Sequence, residues 1–169
     1  MSSEARPPHF NPINVIGPER LKAEREINRF ASELFAREGP DVRPHVLALE
    51  WRPFLLGMYR GWFEKEGYGY SAAQSGRIML AKARLLRPDL IVTGLNVLHG
   101  HPPAYRWMME NLERPDGVPV LLITAAIECQ VPDQFRRCPR ARYLQKPIFA
   151  PAILKSAAEL LALGMRLPA

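Results

Sequence analysis

Apolar residues fall along this chain in two alternating rhythms. Short unbroken runs, HVLAL at 45–49, DLIVT at 89–93 and VPVLLI at 118–123, suit strands buried on both faces of a parallel sheet. Weaker strand patterns lie at 68–72, where Gly69 interrupts, and at 142–145. Between the runs the spacing becomes helical. Residues 53–66 form one such stretch, stopped by Gly67, and 75–86 form a second, with Ile78, Met79, Ala81, Leu85 and Leu86 apolar. Further helices are predicted over 103–113 and 151–163, with a poor, Pro132-interrupted stretch at 126–137. Five strands alternating with five helices predict an α/β fold, a doubly wound, flavodoxin-like, five-stranded parallel sheet.

A different pattern precedes the first strand. Residues 1–17, with Pro7, Pro8 and Pro12, read as an extended tail. After Gly17-Pro18 an amphipathic helix is predicted over 19–38, closed by Gly39-Pro40. Leu21, Ile27, Phe30, Ala31, Leu34 and Phe35 make its apolar stripe. Such a stripe needs cover from the main domain, from a second copy or from another protein, so the helix is a candidate interaction or dimerisation arm. The expected division is an N-terminal extension, 1–42, and one α/β domain, 43–169.

The 169 residues are 47% apolar and 24% charged, ordinary values for a globular chain. No apolar run approaches the roughly 20 residues that span a bilayer, and MSSEARPPHF has no apolar signal region. With two cysteines, Cys129 and Cys138, that are not at zinc spacing, the expectation is a cytoplasmic protein without disulfide, metal or cofactor. The net charge of +6 lies wholly beyond residue 43, where sixteen basic residues face ten acidic ones. Arg136, Arg137, Arg140, Arg142 and Lys146 form the densest group. It reads as a solvated face, with a nucleic-acid contact as the less favoured alternative. His99 and His101 flank Gly100 but lack a third ligand, and read as a flexible surface loop. The chain has no phosphate-cradling glycine motif and no nucleophile elbow, which argues against nucleotide and acyl-transfer enzymes.

Five segments then fall into one register. PHVLALEWRP, EKEGYGY, RPDLIVTGLNV, VPVLLITA and ARYLQKP together resemble the receiver domain of bacterial response regulators over residues 44–163. The resemblance implies a phosphorylation pocket at the C-terminal edge of the sheet. Glu50 matches the first metal-binding acid, and Asn96 matches a residue whose backbone carbonyl helps to ligate Mg²⁺. Thr124 matches the hydroxyl after the fourth strand, and Lys146 the lysine of a Lys-Pro bond that is often cis. Two positions depart. Trp51 stands at the second acid, where its ring is expected to cover part of the pocket, and Gly94 replaces the aspartate that accepts phosphate. Thr93 points to the opposite side of the strand and Asp89 lies at its other end, so neither substitutes. Without a nucleophile no acyl phosphate forms.

The implied protein is a pseudo-receiver, not an enzyme. In it Lys146 pairs with Glu50 across an empty pocket, and the ammonium does some of the work of the absent metal. Tyr143 matches the family's aromatic switch, or is a tyrosine half buried at a sheet edge. Receivers present the face formed by the fourth helix, fifth strand and fifth helix to their partners. Here that face would carry Phe135, Tyr143, Ile148 and Phe149 among Arg136, Arg137, Arg140 and Arg142. The expected function is phosphorylation-independent adaptor work with a protein partner in bacterial signalling, with possible homodimer formation through that face or the N-terminal helix. The alternatives are a nucleic-acid-associated regulator and a receiver phosphorylated at an unconventional residue. No membrane contact is expected.

Overall fold

The computed structural model describes residues 43–164, together with Lys22 and Arg25, which are helical and exposed. The rest of the predicted 19–38 helix, its apolar stripe and the boundary at 42/43 lie outside the described residues.

The chain alternates strand and helix from His45 onward. The strands are β1 (His45–Leu49), β2 (Gly69–Ala73), β3 (Leu90–Thr93), β4 (Val120–Thr124) and β5 (Ala141–Gln145). They pair in the order β2-β1-β3-β4-β5, every pair parallel. This is the doubly wound order expected of the pattern, with β3 in the centre.

Every residue of β1, β3 and β4 is buried, so these strands appear in the sequence as continuous apolar runs. Their alternate side chains serve two cores. Val46, Ala48, Leu90, Val92, Leu121 and Ile123 pack with Leu56, Phe63, Ile153 and Leu160. These last four belong to α1 (Pro53–Lys65) and α6 (Ala150–Gly164). Leu47, Leu49, Ile91 and Leu122 face the other way, toward Met79, Met108 and Phe135. Those three come from α2 (Gly76–Leu86), α4 (Pro102–Glu113) and α5 (Asp133–Arg137). Gly76 lets α2 approach α4, since a Cβ there would lie 2.6 Å from the Cβ of His101 and 2.7 Å from that of Ala104.

Several sequence-based expectations shift. There are six helices from residue 53 onward and a 3-10 turn, Glu128–Gln130, rather than five helices. The added helix, α3 (Leu95–His99), is only five residues long and too short to show a period. The poor stretch at 126–137 is the 3-10 turn followed by the single-turn α5. The segment around His99 and His101 is not a loose loop. His101 Nδ1 accepts from the Ala104 N–H at 3.1 Å and caps α4, and the His99 ring lies 5.1 Å from that of Tyr105. Leu85, expected on the apolar face of its helix, is exposed, and Lys82 is buried in its place, donating to the Ala72 carbonyl.

Candidate functional site at the C-terminal edge of the sheet

Parallel strands bring their C-terminal ends to one edge. Glu50 follows β1, Gly94 follows β3, Thr124 ends β4 and Lys146 follows β5. The topology therefore assembles the residues that the sequence motifs singled out, with Gly94 in the middle.

Glu50 is buried, and its backbone N–H donates to the Ala73 carbonyl at 3.1 Å. Both carboxylate oxygens are engaged by Arg52. The Arg52 backbone N–H and Nε donate to Oε1 at 3.2 and 3.1 Å, and Nη2 donates to Oε2 at 3.2 Å. This is a two-pronged match of guanidinium to carboxylate. The hydrogen bond to Glu50 holds the guanidinium pKa above its usual value. On the inner side, Tyr59 has its phenol pushed up to about 12, first by burial and then by the Glu50 charge.

The modest ion pair expected between Lys146 and Glu50 is present but secondary to the Arg52 contact. Lys146 Nζ stands 4.0 Å from Glu50 Oε2, at the outer limit of such a contact. Burial, and then the neighbouring Arg52 charge, push the ammonium pKa down against the pull of Glu50. Arg52 therefore takes the part that the sequence reading gave to Lys146. Its side chain starts only two residues beyond Glu50 and its fork fits both oxygens, which a single ammonium cannot do. Sequence reasoning missed it, and the available signal was the Glu-x-Arg spacing at a strand end.

Trp51 does not cover the site. It is 62% exposed, with the Arg52 guanidinium 5.5 Å from its ring centroid. Gly94 has φ −98° and ψ 149°, a conformation open to any residue. A Cβ built there would meet only the Ile123 carbonyl oxygen at 3.5 Å and Val97 Cγ1 at 3.9 Å. Neither backbone nor crowding demands a glycine at this position. Thr93 is buried and its hydroxyl donates to the Gly94 carbonyl at 3.2 Å. Thr124 Oγ1 accepts from the Ala126 N–H at 3.0 Å, and its carbonyl accepts from the Lys146 N–H at 2.8 Å. Lys146-Pro147 is cis.

These residues do not fit Mg²⁺. The Glu50 carboxylate is clamped by a guanidinium, and the residue after it is an outward-facing tryptophan. The Asn96 carbonyl accepts from the Gly100 N–H at 3.1 Å within the end of α3. Among the described residues no three His, Cys, Asp or Glu side chains converge on a possible metal position.

The expected interface residues separate. Phe135 is 1% exposed and belongs to the core, so it offers nothing to a partner. The single turn of α5 is held to the sheet by that ring. Tyr143 and Ile148 are half buried, each packed against one of the two cores, while Phe149 is 76% exposed. The arginine cluster is largely engaged within the chain. Arg136 and Arg137 both pair with Asp133. Arg140 donates to the carbonyls of Gly117 and Arg114, and Arg142 to those of Pro139 and Ala141.

The geometry can be set beside known proteins. No protein-family model matches the sequence, and no curated relative matches it. Solved structures do. The chemotaxis response regulator CheY4 of Vibrio cholerae superposes with a TM-score of 0.58 at 21% identity, over 70% of this chain and 98% of that one. A CheY-like receiver domain protein of Methanospirillum hungatei gives 0.60 at 16% identity, over 73% and 98%. A response regulator of Thermotoga maritima gives 0.59 at 13% identity, over 71% and 98%. The fold is that of a receiver domain. On this receiver fold Glu50, Thr124 and Lys146 stand at the edge where the sequence motifs placed them, beside an empty Gly94 and a guanidinium. No helix among the described residues is long and apolar enough to cross a membrane.

Proposed function

We propose that this chain is a pseudo-receiver, a phosphorylation-independent interaction module of signal transduction without catalytic activity of its own. One observation carries the reading. At the edge where a receiver would need a nucleophilic carboxylate and a metal-binding carboxylate, β3 is followed by Gly94 and both oxygens of Glu50 are held by Arg52. Phosphoryl transfer to a side chain needs an acceptor group, and Mg²⁺ needs oxygen ligands free to bind it. What remains of a receiver is its shape and its surfaces.

The nucleic-acid alternative is weakened by the hydrogen bonding of the arginine cluster, in which Arg136 and Arg137 face Asp133 and Arg140 ties two loops together. The test incubates the full chain with acetyl phosphate and Mg²⁺ and reads its intact mass. An unchanged mass is expected, and addition of one phosphoryl group would overturn the reading. Affinity capture from the native host, repeated without residues 1–42, then asks for a protein partner. Failure to retain any protein with either form would count equally against adaptor work.

A further inference from the structure

We propose that the C-terminal edge of the sheet docks a partner segment in which an acidic side chain sits between large apolar ones. The proposal rests on the adaptor reading and names the partner's chemistry. Its first ground is charge. Arg52 and Lys146 share a single carboxylate, Glu50. That carboxylate is inside, with 6% of its side chain exposed, whereas 41% of the Arg52 side chain and 31% of Lys146 reach solvent. The two cations therefore outnumber and overlie the one acid. Arg77, after β2, and Glu128, after β4, are also exposed and carry opposite charges. Burial first, and then the Arg52 charge beside it, hold the Lys146 ammonium pKa down despite Glu50.

The second ground is the distribution of exposed apolar side chains. Trp51, Phe54, Ile127 and Phe149 are large, apolar and exposed. Trp51 and Phe54 follow β1, Ile127 follows β4 and Phe149 follows β5. Because β1 and β4 lie on either side of β3, these side chains border the cationic edge around Gly94. Singly exposed apolar residues are ordinary, but four that follow the C-terminal ends of β1, β4 and β5, Phe54 in the first turn of α1, mark a contact surface. Aromatic side chains beside an arginine are what interface hot spots are made of. Gly94 adds room at the centre, with only ordinary contacts around a Cβ position. An incoming carboxylate would meet Lys146 and the outer side of Arg52, and its apolar neighbours would cover the rim. A basic segment would meet like charge.

The test pans a random 12-residue phage-displayed library against the full chain and measures the selected peptides by fluorescence anisotropy. Selected peptides should carry Asp or Glu flanked by Leu, Ile, Phe or Trp. Changing that acid to its amide should weaken binding about tenfold, equivalent to about 1.4 kcal/mol. Lys146→Gln and Phe149→Ser should each weaken it severalfold while melting like the parent chain. No enrichment, enrichment of basic peptides, or binding indifferent to both substitutions would overturn the proposal. If the chain still captures a host protein with affinity unchanged by those substitutions, the adaptor reading stands and this one falls. Phosphorylation by acetyl phosphate would instead remove the adaptor reading itself.

Discussion

Replacing Arg52 by alanine tests whether a guanidinium holds the site together. The substitution removes two side-chain hydrogen bonds to Glu50 and leaves the backbone bond from residue 52 and the distant Lys146 ammonium. A hydrogen bond to a charged group contributes roughly 1.5–3 kcal/mol. Because 41% of the Arg52 side chain is exposed, water can replace part of what is lost. After that discount Arg52→Ala should destabilise the fold by about 1–2 kcal/mol. With the competing cation gone, Lys146 becomes the main counter-charge of a buried carboxylate. Lys146→Met should therefore be nearly neutral in the parent chain and clearly destabilising beside Arg52→Ala, with a coupling of about 1 kcal/mol. Glu50→Gln should suppress most of the damage done by Arg52→Ala, since it removes the stranded charge. Urea unfolding of the full chain, followed by tryptophan fluorescence, gives all the values. A loss below about 0.5 kcal/mol for Arg52→Ala, with additive double variants, would refute the clamp.

Four further outcomes follow from the same structure. Gly94→Asp should fold and gain a few tenths of a kcal/mol, because aspartate is a better cap for α3 than glycine and would face two cations; a loss above about 1 kcal/mol in thermal unfolding would contradict the clearances around that Cβ. Phe135→Ala should cost about 3–5 kcal/mol while Phe149→Ser changes urea stability by less than about 0.5 kcal/mol, and the reverse ranking would restore the surface role read for Phe135. Gly76→Ala should destabilise by about 1–3 kcal/mol by pushing α2 off α4, and an unchanged urea midpoint would show the approach to be looser than drawn. The pKa of Lys146 is lowered on folding, so the unfolded chain holds its proton to higher pH and stability should rise as pH climbs from the folded value toward 10.5; Lys146→Met should reduce that rise in alkaline unfolding titrations, and an identical slope would contradict the shift.

How much of this was legible in the sequence depended on whether a residue's neighbours along the chain were also its neighbours in space. β1, β3 and β4 were readable as apolar runs because both faces of each strand are covered. β2 and β5 are the sheet's edges and carry exposed or half-buried positions, so their patterns were weak. α3 had too few residues for any period. Phe135 was misplaced because a single-turn helix cannot reveal which face is buried, and only the tertiary packing of α5 against β5 and α4 puts the ring inside. Glu50, Gly94, Thr124 and Lys146, singled out by the motifs, lie at the C-terminal ends of their strands because parallel strands end at one edge. They did not reveal that Arg52 folds back onto Glu50, since a side chain's partner is chosen by rotamer and reach rather than by spacing alone.

The charge arrangement at the edge links stability to recognition. A buried carboxylate with one guanidinium on it is a balanced pair, and among the described residues the nearby ammonium then has no carboxylate of its own within hydrogen-bond distance. The surplus must be met by water, by a side chain of this chain or by a partner. Gly94 determines which, because it is the central position from which an internal carboxylate could reach the cations. Placing an acid there should stabilise the free protein and, through the same contacts, weaken its hold on an acidic peptide. If Gly94→Asp raised stability and left peptide affinity untouched, the cations that stabilise the fold and those that recognise the partner would have to be different groups. The docking surface would then lie elsewhere on the receiver fold.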